Sequence, residues 1–261
     1  MDAASRIPYD DDWILNVDRT EKMWAELAPY YDVFYAKKDY TREAAQVHEL
    51  IQKNKRSGGH RLLDVGCGTG GHLVYLRRNY RVTGTDRNQR MLDLARQKCG
   101  GVRFIRSNMT SLRLRGRFDA ITCLFGAIAY LKTYRRLERA IAGFACHLKR
   151  GGVLILEPFV SREAYRIGQP HAKYVDRPDV KIARINVSRI RFTSAGDAIA
   201  VLDFHFLIGT REGVRYARDR HELGLFEPAK VLELLSGKGF EARWRRRGLG
   251  GGSGLFIGVK S

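Results

Sequence analysis

The stretch Arg61-Leu62-Leu63-Asp64-Val65-Gly66-Cys67-Gly68-Thr69-Gly70-Gly71-His72 decides the fold. A short apolar run from Leu62 to Val65 holds one carboxylate. A glycine-rich turn follows, and then an apolar helical spacing begins at Leu73, Val74 and Leu76. The order is strand, tight loop, helix. Gly66, Gly68 and Gly70 let the backbone turn sharply and let a ligand approach without meeting a Cβ. The helix after Gly70 aims its free N–H groups at that loop. A second β-like run, Tyr80 to Thr85, ends at Asp86. Asp86 lies twenty residues past Gly66, where nucleotide-binding α/β folds hold a ribose.

The spacing Gly66, Gly68, Gly71 also satisfies a dinucleotide fingerprint, and Asp64 separates the two readings. A pyrophosphate is repelled by a carboxylate beside the loop, whereas a positively charged ligand tolerates it. Asp64-x-Gly66-x-Gly68-x-Gly70 followed by Gly84-Thr85-Asp86 resembles motif I and its successor in class I S-adenosylmethionine (SAM) methyltransferases. The resemblance implies SAM as cofactor, whose sulfonium and ammonium suit Asp64.

At 261 residues and 44% hydrophobic composition, the chain suits one domain, or one with a sizeable insertion. No run is apolar enough to span a bilayer, which needs about 20 residues. The start, Met-Asp-Ala leading to Asp10-Asp11-Asp12, reads as no secretory signal. Cys67, Cys99, Cys123 and Cys146 form no Cys-x-x-Cys pair and read as reduced thiols in a cytoplasmic protein. The net charge of +19 is spread along the chain, with a cluster at Arg243, Arg245, Arg246 and Arg247. It fits a phosphate-bearing acceptor, a nucleic acid, or a generally basic surface.

Along the chain, residues 1–19 read as an irregular arm or short helix anchored by Trp13, Ile14 and Leu15. Residues 20–36 read as helix (Met23, Trp24, Leu27, Tyr31, Phe34), which Pro29 interrupts as a kink or as a break into two short helices. Thr41 is placed to cap the next helix. Strands are expected near 61–65, 81–85, 102–106 and 118–124, with helices near 70–78 and 88–97 and a turn near 109–113. A long amphipathic helix over 131–149 is expected to stop at Gly151-Gly152, and Val153 to Leu156 reads as a strand buried on both faces. This alternation predicts a Rossmann-like, doubly wound α/β sheet. Residues 180–192, 198–209 and 213–222 alternate as an inserted antiparallel meander of three strands. Pro228 opens a further helix, and strands near 239–247 and 255–260 finish the chain, joined by Gly248 to Gly254. The division is 1–40 as arm and helical cap, 41–160 with 222–261 as the cofactor-binding part, and 161–221 as a lid or dimer surface.

Ligands of such a sheet sit at the carboxyl ends of its strands. The residues expected there are Gly66, Cys67 and Gly68; Asp86, Arg87 and Met91; Asn108 and Met109; Leu124 to Tyr130; and Glu157. Asp86 has the acceptor capacity for a ribose diol, or can cap the helix over 88–97. Asn108 can meet the adenine amino group through its side-chain oxygen, and Met109 can pack on the ring. Leu124 opens a dry wall, and Tyr31 can cover the pocket. Methyl transfer needs alignment rather than an acid, and positioning supplies on the order of 7–11 kcal/mol in favourable cases. No triad or metal cluster is visible. Tyr130 and His221 are the catalytic candidates, with His205 and Glu157 as further orienters.

The chain resembles, more closely, the N,N-dimethyltransferases of TDP-linked amino sugars, from about residue 25 onward. The matching stretches include Tyr31-Asp32, Lys38-Asp39-Tyr40, Tyr130-Leu131-Lys132-Thr133, Glu157-Pro158, His205-Phe206 and His221 with Leu225-Phe226. The resemblance implies a seven-stranded sheet of order 3-2-1-4-5-7-6 with strand seven antiparallel. It also implies a nucleotide-linked amino sugar as acceptor, its diphosphate met by Arg184, Arg189 or Arg191, and a homodimer through the insert as one reading of that surface. Two other readings stay open. Charge favours an RNA or DNA methyltransferase, although no Asn/Asp-Pro-Pro-aromatic motif or Pro-Cys nucleophile is present. A non-catalytic SAM-binding partner protein is the other.

Overall fold

The computed structural model describes residues 26–251 and 254–261. The expected arm over 1–19 and the Met23-Trp24 end of the first helix lie outside them, as do two positions of the Gly248–Gly254 turn. Helices α1 (Ala28–Phe34) and α2 (Tyr40–Asn54) precede β1 (Arg61–Val65). Then follow α3 (Leu73–Leu76), β2 (Arg81–Asp86), α4 (Gln89–Lys98), β3 (Arg103–Arg106), β4 (Phe118–Cys123), α5 (Tyr134–His147) and β5 (Leu148–Leu156). Four antiparallel strands come next: β6 (Pro170–Asp176), β7 (Lys181–Phe192), β8 (Ala198–Thr210) and β9 (Gly213–Gly224). Helix α6 (Pro228–Ser236), β10 (Phe240–Arg245) and β11 (Leu255–Lys260) return to the first sheet.

That sheet has the order β10-β11-β5-β4-β1-β2-β3, and β11 runs antiparallel to both neighbours. It is the doubly wound seven-stranded arrangement that the resemblance implied. Strand β1 lies between β2 and β4, so the strand order reverses there and a crevice opens at the carboxyl ends. The second sheet has the order β6-β7-β8-β9. One face of β8 (Ala200, Leu202, Phe204, Phe206, Ile208) packs with Tyr31 and Phe34 of α1 and with Ala129. Among the described residues, no helix is long and apolar enough to cross a membrane.

Several local expectations are corrected. Pro29 sits in the first turn of α1, which starts at Ala28, where its missing N–H has no partner to lose; the segment expected before it lies outside the described residues. Asp39 rather than Thr41 caps α2, accepting from the Arg42 N–H at 2.9 Å. Helix α3 is a single turn. Helix α5 ends at His147, and β5 begins at once with Gly151 and Gly152 inside it. The β4–β5 register jumps from Phe118–Leu148 to Ala120–Val153, and Gly151 takes φ +71° in the bulge. Its carbonyl accepts from the Arg56 and Ser57 N–H groups at 2.7 and 3.1 Å. The glycines therefore shape a bulge that holds the lead-in to β1. The insert has a fourth strand, β6, paired antiparallel with β7; the segment is exposed almost throughout, so no apolar alternation marks it in the sequence.

Candidate active site

A cavity of about 950 Å³ opens where the two sheets face each other. Its cofactor wall starts at the β1 loop. Gly66 and Gly68 have φ of +72° and +54°, and a Cβ on Gly66 would stand 2.8 Å from the Ala127 methyl. Larger residues are excluded by both conformation and space. The Gly66 and Cys67 N–H groups donate to the Thr85 carbonyl at 2.7 and 2.9 Å, which fixes the loop on β2. The loop is clamped from above as well: Thr69 Oγ1 donates to Asp32 of α1 at 2.7 Å, and Lys98 holds the other oxygen of that carboxylate.

Asp86 takes the Gly68 N–H on one oxygen and the Asn88 N–H on the other, each at 2.9 Å. The Arg87 backbone N–H also bonds this carboxylate, and the acceptor capacity that remains can meet a ribose hydroxyl. Burial pushes the Asp86 pKa up, against those backbone N–H groups. Asp86 is not the cap of α4; Asn88 is, through its bond from the Met91 N–H. Asp64 is buried and accepts from Thr122 Oγ1 at 2.7 Å, and burial raises its pKa to about 7.

Of the other expected residues, Tyr31, Cys67, Arg87, Asn108, Met109, Leu124, Tyr130 and His221 all line the cavity. Met91 does not; it is buried behind Gly68. The Asn108 side-chain oxygen already accepts from the Thr110 N–H and hydroxyl at 3.0 and 2.9 Å. Since a backbone N–H only donates, the amide NH₂ is the group left to face a ligand. His205 bonds Tyr216 at 2.6 Å and is not part of the cavity wall. Arg189 pairs with Asp203 and Arg191 with Glu222, outside the cavity. Arg184 alone of the three arginines lines it.

Tyr130 and His221, far apart in sequence, meet: the Tyr130 hydroxyl lies 2.6 Å from His221 Nδ1. Sequence reasoning missed Glu43 and Lys173, whereas Glu157 and Arg184 were among its candidates. Glu43 is buried between Lys38 and His72 Nε2, the latter at 2.8 Å. Glu157 accepts from the Phe125 N–H at 2.6 Å, and burial lifts its pKa to about 7. On the acceptor wall, Arg184 lies between the rings of Phe34 and Phe204, at 4.8 and 4.3 Å from their centroids. Lys173 sits 4.3 Å from the Phe34 centroid, and burial followed by Arg184 lowers its pKa. The carboxylates lining the cavity are Glu43, Asp64, Asp86 and Glu157, with Lys38, Arg87 and Arg136 among them, whereas Arg166, His171, Lys173 and Arg184 line it from the insert.

This geometry fits a cationic nucleoside cofactor across the β1–β4 crevice, and the comparisons agree. Residues 62–152 match the family described as a methyltransferase domain. The dTDP-3-amino-3,4,6-trideoxy-alpha-D-glucopyranose N,N-dimethyltransferase of Streptomyces venezuelae is 33% identical over 89% of this chain and 97% of its own length. The crystal structure of Streptomyces venezuelae DesVI superposes with a TM-score of 0.82 at 31% identity, covering 90% of this chain and 98% of that one. SAM-bound CalS10, an amino pentose methyltransferase from Micromonospora echinaspora, gives 0.77 at 30% identity, covering 94% and 99%. The chain belongs to the class I SAM-dependent methyltransferases, in the group that holds these amino-sugar enzymes. It is a methyltransferase, and SAM is its cofactor.

Proposed function

We propose that the chain methylates the amine of a nucleotide-linked amino sugar. The observation that carries this reading is the acceptor wall. Arg184 and Asn186 are 8% and 4% exposed, and Arg184 Nε and Asn186 Oδ1 have no hydrogen-bond partner within the protein. Buried polar atoms of that kind are costly unless a ligand satisfies them. A buried guanidinium with Lys173 beside it suits a diphosphate, and the Tyr35 and Phe204 rings, which line the cavity, suit the faces of a base or sugar. The relatives' acceptors, dTDP-linked amino sugars, support the same class.

The other residues take roles from their positions. Asp86 holds the ribose, the Asn108 amide and Met109 meet adenine, and Gly66, Cys67 and Gly68 follow the backbone of the ligand. Asp64 faces its positive charge, while Tyr31, Arg87 and Leu124 close the walls. Bound SAM supplies an electrophilic methyl group. Tyr130, backed by His221, orients the acceptor amine and takes its proton. Mass spectrometry of reactions with dTDP-amino sugars and with the same sugars lacking the nucleotide tests this. One or two added methyl groups on the nucleotide-linked substrate alone are expected. Equal turnover of the nucleotide-free amine would sink the reading.

A further inference from the structure

Strand β7 turns alternate side chains to opposite faces. Ile185 and Val187 are exposed on its outer face, whereas Arg184, Asn186 and Ser188 line the cavity. Successive inward positions lie about 6.6 Å apart along a strand. The three residues form a short ladder with a cationic end and a neutral end. Arg184 sits opposite Lys173 of β6, and Asn186 sits opposite His171. Ser188 sits opposite Leu202 of β8, which in turn sits opposite His221 of β9. Asn186 is therefore the rung between the two cations and the Tyr130–His221 contact.

One ring spans the same interval. The Phe204 centroid is 4.3 Å from the Arg184 guanidinium carbon and 5.0 Å from the His221 centroid. A gap bridged by one phenyl ring takes one sugar ring. Arg184 is held at its end of the ladder, bonding Tyr35 and standing 3.5 Å from His171 Nδ1 through Nη2. Asn186 is buried, and its Oδ1 has no hydrogen-bond partner among the described residues. The terminal torsion of an asparagine is soft and roughly two-fold, so the amide can turn either its oxygen or its NH₂ to an incoming group. A hydroxyl suits both ends, since it donates and accepts. A methylene suits neither, and would leave the amide desolvated without a partner.

We infer that Asn186 reads a hydroxyl of the acceptor sugar, the one on the carbon between the anomeric carbon and the amine-bearing carbon. The inference rests on the nucleotide-linked acceptor reading above. With the diphosphate at Arg184 and Lys173 and the amine at Tyr130, the sugar lies along the ladder. Its anomeric carbon is next to the cations, and its amine is at the far end. The carbon beside Asn186 is then C2, and the amine is on C3. An amine on C2 would leave no carbon between the two ends, and one on C4 would stand across the ring from the anomeric carbon. The acceptor is accordingly a 3-amino sugar that keeps its C2 hydroxyl. A site built to hydrogen-bond a hydroxyl rejects the deoxy analogue, because the buried protein group is then stranded.

Calorimetry on the full chain saturated with S-adenosylhomocysteine tests this, with dTDP-glucose and dTDP-2-deoxyglucose as probes. Neither sugar carries an amine, so binding is read without turnover. The probe with the C2 hydroxyl should bind at least about tenfold more tightly to the wild type. Asn186→Leu keeps the size of the side chain and loses its amide. It should bring the two affinities within about twofold of each other and leave SAM Kd as it was. Equal wild-type affinities mean that water serves Asn186 as well as the sugar does, and overturn the inference. Binding of neither probe overturns it too, as does discrimination that survives in Asn186→Leu. If Asn186→Leu does not fold, Asn186→Ala decides by the same ratio. A protein that prefers the hydroxyl but methylates no amino sugar loses the amine reading and keeps the subsite. One that methylates 3-amino sugars with and without the C2 hydroxyl at equal kcat/KM keeps the reading and loses the subsite.

Discussion

The two walls of the cavity are built by different means. The cofactor wall is made of turns: a left-handed glycine loop, backbone N–H groups locked onto Thr85 and Asp86, and carboxylates at strand ends. The opposite wall is made of side chains from β6, β7 and β8 and from the segment over 158–169 that precedes them. Arg166, His171, Lys173 and Arg184 make that wall basic, whereas the wall around the glycine loop mixes carboxylates with Lys38, Arg87 and Arg136. Backbone geometry tolerates little substitution, whereas a side-chain wall can change one contact at a time.

The largest expected effect falls on the backbone wall. Gly66→Ala adds left-handed strain and a contact with Ala127, and should weaken SAM binding by about 100-fold in calorimetry. A smaller loss would mean that the loop can move, and would blur the distinction between the walls. Asp86→Ala should cost about 1–3 kcal/mol in SAM affinity and leave acceptor KM alone. Arg184→Ala is the mirror experiment. It should raise acceptor KM about tenfold with SAM Kd unchanged, and a change in SAM Kd would show that the walls are not separable.

The smallest effect is on pH dependence. Burial raises Asp64 and Glu157 to about 7, so in the free enzyme both hold their protons below that pH. A cationic ligand favours the ionised forms, so binding releases protons and SAM affinity should fall as pH drops below about 7. Asp64→Asn should flatten that slope. A wild-type profile flat from pH 6 to 8 would remove the electrostatic half of the comparison.

The same division explains what was legible in the sequence. Strands β1, β2, β4 and β5 are apolar runs bounded by turn residues, and the glycine loop is a local motif, so both could be placed by reading along the chain. Strand β6 could not, since its residues are exposed and carry no period. Gly151-Gly152 after an amphipathic helix looks like a stop signal; only the cross-strand register shows it to be a bulge. Tyr130 and His221 were each visible as candidates, but their contact spans 91 residues and needs the second sheet. Asn108 lines the cavity with its side-chain oxygen turned to Thr110 rather than outward, an arrangement that depends on the local turn.

The pairing of Leu156 with Phe256 joins strands about 100 residues apart in the chain. Most of the wall opposite the glycine loop is spooled out between two neighbouring strands of the first sheet, with Tyr35 and Tyr130 added from earlier in the chain. The entropy of closing such an excursion grows only logarithmically, by about 0.6 kcal/mol for each doubling of its length. Lengthening or trimming the insert is therefore cheap for the finished sheet, but non-local pairings of this kind form slowly. The β10–β11 edge must wait for the whole excursion to be made before it can dock. The acceptor side of this enzyme is thus a loop in the topological sense, and a slow-closing one.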